Sequence, residues 1–219
     1  MTYPPRHYPT PAAKCADLVV HISGLVLALF GGGMLLGLGV SRGSLGMVAA
    51  VSIYAAGLVA MLGLSTAYNF GKPQWRPLLR RFDHAGIFLM IAGSYTPFTT
   101  QSLTGAWSIA MTATVWGASL LGIFGKLFLP GLGRGFWVVL YLVLGWAVVF
   151  AIQPMLQGVH WVAMLLLAIG GLVYSAGAVF YMMKRLRFRR AIWHSHVVAG
   201  AGLQYAAVLV GVVLAGAHN

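Results

Sequence analysis

The chain has 219 residues, is 60% hydrophobic and 7% charged, and carries a formal net charge of +12 with a mean hydropathy of +0.87. Soluble domains carry about 25% charged residues, so this composition excludes a soluble globular fold and makes lipid the solvent. The cations sit in short loops between apolar runs, which fits anionic headgroups and orientation control and argues against nucleic acid as a partner.

Residues 1–16 read as a polar N-terminal arm with Pro9 and Pro11. No apolar run with a cleavage site precedes the first span, so no removable signal peptide is expected. Cys15 is the single cysteine, which rules out an internal disulfide and a cysteine-based zinc site. A membrane helix needs roughly 20 mostly apolar residues. Seven stretches qualify, at 17–40, 45–70, 83–102, 106–124, 135–152, 160–183 and 191–216. The fifth is short, and its ends are the hardest to fix. Gly33 and Gly37 form a GxxxG pattern in the first span, of the kind that lets helices approach closely. The expectation is one all-α domain over 1–219, a seven-helix transmembrane bundle.

Of the 14 Lys and Arg, only Arg42 falls on the side opposite the arm. By the positive-inside rule the N-terminus is then cytoplasmic and the C-terminus outside.

The rare polar side chains gather near the basic side. Asp17 and His21 begin the first span, and Ser65 and Asn69 end the second. Asp83 and His84 begin the third, and Arg190, His194 and His196 begin the seventh. Asp17 with His21, Ser65 with Asn69, and Arg190 with His194 are spaced i, i+4, which puts each pair on one helix face. Each residue also has a plain structural reading. Asp17 and Asp83 suit helix N-caps, and Ser65 suits a bond back to a helix carbonyl. His84, about 100° around the helix from Asp83, suits a headgroup contact, and His196 a packed position. Taken jointly, Asp17, His21, Ser65, Asn69, Asp83, Arg190 and His194 are the candidate polar cluster, because ionisable groups in a membrane mark functional sites by default.

The stretch from Asp83 to Phe98, DHAGIFLMIAGSYTPF, resembles the third-span signature of the hemolysin III proteins, the bacterial branch of the progestin and adiponectin receptor superfamily. HISG at His21–Gly24, STAYN at Ser65–Asn69 and AIWHSHVVAGAGLQY at Ala191–Tyr205 are similar to that family's first-, second- and seventh-span motifs. The resemblance implies a zinc ion near the cytoplasmic face, held by three histidines with an aspartate and a serine close by. In animal members that site is linked to ceramidase-like amide hydrolysis. The chain departs from the pattern at the ligands. Asn69 and Arg190 stand where two of the three histidines are expected, and His194 alone remains. The family's glutamates before the first-span motif fall at Ala13 and Lys14, and a later seventh-span histidine falls at Gln204.

Three readings follow. In the first, the protein is a metal-free relative with no cofactor, serving membrane homeostasis or lipid sensing. Arg190 supplies the missing cation and pairs with Asp83, with Asn69 bonding nearby. In the second, His21 and His194 hold zinc together with Asp83, and Ser65 lies beside the water, in a hydrolase of lipid amides or esters whose catalytic groups are Asp83 and Ser65. In the third, Asp17 and His21 relay protons in ion- or proton-coupled transport, or the bundle forms a pore. In all three the partners are membrane lipids, with a hydrophobic lipid ligand or substrate, and the expected location is the bacterial inner (cytoplasmic) membrane.

Overall fold

The computed structural model describes residues 7–42, 44–129 and 131–215. Residues 1–6 of the arm and Gly216, the end of the expected seventh span, lie outside them. Among the described residues the regular structure is entirely helical: α1 (Pro11–Ser41), α2 (Leu45–Phe70), α3 (Arg76–Gln101), α4 (Gly105–Phe128), α5 (Arg134–Gly145), α6 (Ile152–Gly158), α7 (Trp161–Met182) and α8 (Arg189–Val208). A 3-10 turn, Ala147–Ala151, joins α5 to α6, and a π-helical turn, Leu209–Leu214, extends α8.

Helix α1 begins six residues before the expected span. Thr10 caps it, its side chain accepting from the Ala13 N–H at 3.2 Å, with Pro11 at the first helical position. Proline suits that place because its missing N–H would have had no partner there. Asp17 therefore lies in the second turn and caps nothing. Asp83 likewise lies two turns into α3, which starts at Arg76. The capping reading of both carboxylates is corrected.

Among the described residues six helices, counting Arg134–Gly158 as one, are long and apolar enough to cross a membrane. Helix α3 is as long as α2 at 26 residues but less apolar. Its first turns carry Arg80, Arg81, Asp83 and His84, and its last carry Thr96, Thr99, Thr100 and Gln101. Outward faces elsewhere are apolar: Phe30 is 76% exposed, Leu121 75% and Phe150 79%, as lipid requires. The threonines of α3 satisfy themselves. Thr96 donates to the Ala92 carbonyl at 2.8 Å and accepts from the Trp116 indole at 3.1 Å, and Thr112 donates to Thr99 at 2.8 Å.

The expected fifth span is broken at Trp146. Pro154 cannot continue the hydrogen-bond ladder of a preceding helix, and a side chain from another helix fills the break. The Tyr95 hydroxyl donates toward the carbonyls of Leu144 (3.3 Å) and Gly145 (2.9 Å) and accepts from the Val148 N–H at 2.8 Å.

Successive long helices pack as neighbours, and α8 returns against α1. The short connections make those neighbours antiparallel. The starts of α1, α3, α5 and α8 thus share one end of the bundle with the ends of α2, α4 and α7; this is the basic end. The backbones of α2 and α3 touch through glycine. A Cβ at Gly93 would meet the Ile53 carbonyl at 3.3 Å, and one at Gly86 would meet the Met61 Cα at 3.3 Å. The Gly33/Gly37 face, by contrast, has nothing within 4 Å, so the GxxxG pattern serves no packing among the described residues.

Candidate functional site

The i, i+4 spacing in α1 sets the first part of the site. The His21 Nδ1–H donates to the Asp17 carbonyl one turn back, at 2.8 Å, and a carbonyl only accepts, so His21 Nε2 carries the free lone pair. From α8, the His194 Nδ1–H donates to Asp17 Oδ1 at 2.6 Å, which fixes the same tautomer. The two Nε2 atoms then converge on one hydroxyl, Ser65 Oγ, at 3.3 Å from His21 and 3.4 Å from His194. The imidazole centroids are 4.3 Å apart. One hydroxyl proton serves only one of these lone pairs. Ser65 thus bonds across helices instead of back to a helix carbonyl.

Asn69, one turn after Ser65, donates to the Ser65 carbonyl at 3.0 Å and lies 3.4 Å from its Oγ. Its Oδ1 accepts from Arg190 Nη1 at 2.9 Å. Asp17, His21 and Asn69 are 0–2% exposed. Buried polar groups are costly unless bonded, and here each one is.

Two residues of the arm complete the cluster. The Tyr8 hydroxyl donates to Asp17 Oδ2, and its ring stacks on Phe70. His7 donates from Nε2 to Asn69 Oδ1 at 3.1 Å and accepts from Arg190 Nη2 at its Nδ1, 3.3 Å away. Burial, and then the Arg190 charge, pull the His7 imidazole down to about 4, so at neutral pH it stays neutral and can accept. Burial, and then the bond to Asp17, push the Tyr8 hydroxyl far above its ordinary range, so it remains a donor. The Arg190 guanidinium lies 5.5 Å from the Tyr8 ring and 5.9 Å from the Tyr68 ring. Sequence reasoning missed both arm residues because it saw only a polar start. The available signal was an aromatic and a histidine just before a Thr-Pro helix start.

Asp83 stands apart. Among the described residues its basic neighbour within ion-pair reach is His84, at 4.0 Å, and the expected pairing with Arg190 is not made. Arg190 runs from the first turn of α8 toward the end of α2, where Asn69, His7 and two tyrosine rings receive it. The carboxylate grouped with His21 and His194 is consequently Asp17, and the ligand-capable atoms of these three lie within 4.8 Å of one another. Asp83 and His84 instead line a cavity of about 550 Å³ that also touches His21, Ser65, Asn69, Arg190 and His194, so His84 faces inward and not toward headgroups. His196 is packed, donating to the Ile192 carbonyl at 2.8 Å.

The three-histidine zinc site does not fit these residues. A guanidinium has no lone pair to offer and an amide is a poor ligand. The closer trio, Asp17, His21 and His194, is a possible metal site by proximity, although both Asp17 oxygens already accept bonds from Tyr8 and His194.

Comparison with known proteins agrees with the motifs. A family model described as haemolysin-III related matches residues 15–205. The Hemolysin-3 homolog of Bacillus subtilis (strain 168) is 29% identical over 90% of this chain and 92% of its own length. Hemolysin-3 of Bacillus cereus is 29% identical over 90% of both chains. The Monocyte to macrophage differentiation factor of Homo sapiens is 28% identical over 71% of this chain and 67% of its own.

Proposed function

The chain belongs to the haemolysin III-related family, and from that premise we propose that it is a metal-free lipid-sensing or membrane-homeostasis protein. Its fold is a seven-span bundle with the N-terminus in the cytoplasm and the C-terminus outside. The observation that carries this reading is the 2.9 Å bond between Arg190 and Asn69. These stand at the two positions where family resemblance places ligand histidines, and they bond to each other, so a fixed guanidinium supplies the positive charge. The lipid ligand lies in the cavity that Asp83 and His194 line. α3 makes the seventh crossing, a reading supported by its length and its alternation with α2 and α4.

The test is zinc analysis of the purified protein. Clearly less than one zinc per chain is expected. One tightly held zinc per chain, lost on His21→Ala or His194→Ala, overturns the reading. A C-terminal reporter checks the topology, and a cytoplasmic result defeats it.

A second reading, hydrolysis of a lipid ester or amide, is favoured by one arrangement. His194 stands between Asp17 (2.6 Å) and Ser65 (3.4 Å), the order of carboxylate, imidazole and hydroxyl in serine hydrolases. Labelling by a fluorophosphonate, abolished in Ser65→Ala and indifferent to chelators, is its signature. A protein that is neither labelled nor active on acyl esters excludes it.

A further inference from the structure

The chain has only two acidic side chains, and one of them, Asp17, is enclosed by Tyr8 and His194. Yet Arg80, Arg81, Lys126, Arg134, Arg189 and Arg190 all line the basic end of one cavity, with Asp83 the single carboxylate among them. Some of these cations are already held: Arg81 donates to the Leu127 carbonyl at 3.0 Å and Arg190 to Asn69. Lys126 and Arg134 rest on aromatic faces instead. The Lys126 ammonium lies 4.5 Å from the Trp137 ring and the Arg134 guanidinium 5.2 Å from the Tyr181 ring, and both rings line the cavity. A cation on a ring face keeps its N–H donors for an acceptor elsewhere.

Like charges drawn into a partly enclosed space repel, and Asp83 is the one carboxylate there to offset six cations. The counter-charge has to come from outside. Away from the basic end the lining turns apolar, with Met90, Phe98, Met111, Met155 and Leu167. The cavity volume of about 550 Å³ falls within the roughly 300–1,000 Å³ of sites that enclose small organic ligands. The combination fits an amphiphile with an anionic head and an apolar tail. Cations arriving from several helices suit the several oxygens of a phosphate better than a carboxylate, which one guanidinium fork satisfies.

We propose that this cavity binds a lipid with a phosphate headgroup, the phosphate held by Lys126 and Arg134 and an acyl chain lying along the apolar lining. The proposal rests on the lipid-binding reading above and is independent of whether a metal binds.

The test is native mass spectrometry of the full chain, loaded in parallel with phosphatidate, phosphatidylcholine or glycerol 3-phosphate. Phosphatidate is expected to be retained over phosphatidylcholine. Lys126→Gln and Arg134→Gln each weaken that retention about tenfold, the loss of one charged contact, and the charge-keeping Lys126→Arg restores it. Arg185→Gln and Arg187→Gln, basic positions outside this cavity, leave it unchanged. Equal weakening by Arg185→Gln means general surface attraction and overturns the site. Equal retention of phosphatidylcholine overturns it as well. Glycerol 3-phosphate binding as tightly as phosphatidate makes it a site for free phosphate esters and defeats the lipid assignment. Loss in Lys126→Arg as complete as in Lys126→Gln places the effect in packing and also defeats it. Zinc content of the same preparations reads the metal-free assignment separately.

Discussion

Arg190 donates to Asn69 at 2.9 Å, joining α8 to α2 across 121 residues of sequence. The pair occupies two positions where the family resemblance expects metal ligands, and it replaces the Arg190–Asp83 pair that charge alone suggested. Hydrogen bonds to a charged group contribute about 1.5–3 kcal/mol. Asn69→Ala and Arg190→Gln are each expected to lower stability by about that amount, and the double variant by less than their sum, because the partners share one bond. Asp83→Asn with Arg190→Gln should be additive. Thermal unfolding of the five purified variants, three single and two double, decides it; rescue of Asp83→Asn by Arg190→Gln would restore the pairing that the geometry rejects.

The Tyr8 hydroxyl fills the second oxygen of Asp17. Tyr8→Phe keeps the ring against Phe70 and removes only the donor, so a fully buried carboxylate loses a partner. A destabilisation of about 1–3 kcal/mol is expected, together with faster proteolysis of the arm. A cleavage rate equal to that of the unchanged protein would show that the arm is not held through Asp17.

The His7 contact makes arm docking depend on pH. The docked imidazole titrates near 4, below its ordinary 6.5, because of burial and then Arg190. The undocked arm therefore binds the proton more readily than the docked arm. Docking is complete above about 6.5, weakens as pH falls toward 4, and changes no further below that, where both states are protonated. The groups facing His7 are Asn69, Arg190, Arg76 and Asp17, with the Tyr8 and Tyr68 rings edge-on to its imidazole. Arm proteolysis measured across this window should rise as pH falls, and His7→Gln should flatten the profile. A profile that rises toward alkaline pH contradicts the assignment.

Six of the seven spans were legible because each is an apolar run long enough to span lipid, and most ends fall within about four residues of those expected, but α3 starts seven residues early, at Arg76, and the fifth span runs six residues on, to Gly158. The exceptions have specific causes, one local and one distant. Pro11-Ala-Ala-Lys14 is not apolar, so α1 looked shorter than it is, although Thr10-Pro11 is itself a start signal. The break at Trp146 depends on Tyr95, a side chain some 50 residues away, which no local pattern reveals. The depth of the polar residues was legible from their place in each span. Which ones meet was not, because that is set by helix rotation. A carboxylate at equal depth on α1 or α3 reads the same in sequence, yet Asp17 faces His194 and Asp83 faces the cavity. The arm's share was invisible for the same reason: His7 and Tyr8 acquire meaning only when α2 and α8 place Asn69 and Arg190 beneath them.

Converting Asn69 and Arg190 back to histidine tests why the site is as it is. His194 already has its Nδ1–H anchored on Asp17, which leaves Nε2 free, the arrangement that orients a metal-binding imidazole. Arg190 stands one turn before His194 in α8, and Asn69 one turn after Ser65, whose Oγ is 3.4 Å from His194 Nε2. The double variant Asn69→His with Arg190→His would bring two further imidazoles to that face and remove the guanidinium charge that repels a cation. It is expected to bind about one zinc per chain, with a fourth position open as in catalytic sites, measured by metal analysis and by the visible spectrum of a cobalt-substituted sample. Asn69→His alone should bind far less, because Arg190 still holds the positive charge in place. If the single variant matches the double, the guanidinium is not what keeps metal out. If neither binds zinc, the two positions do not share one coordination sphere with His194, and the account of Arg190 as a resident cation loses its basis.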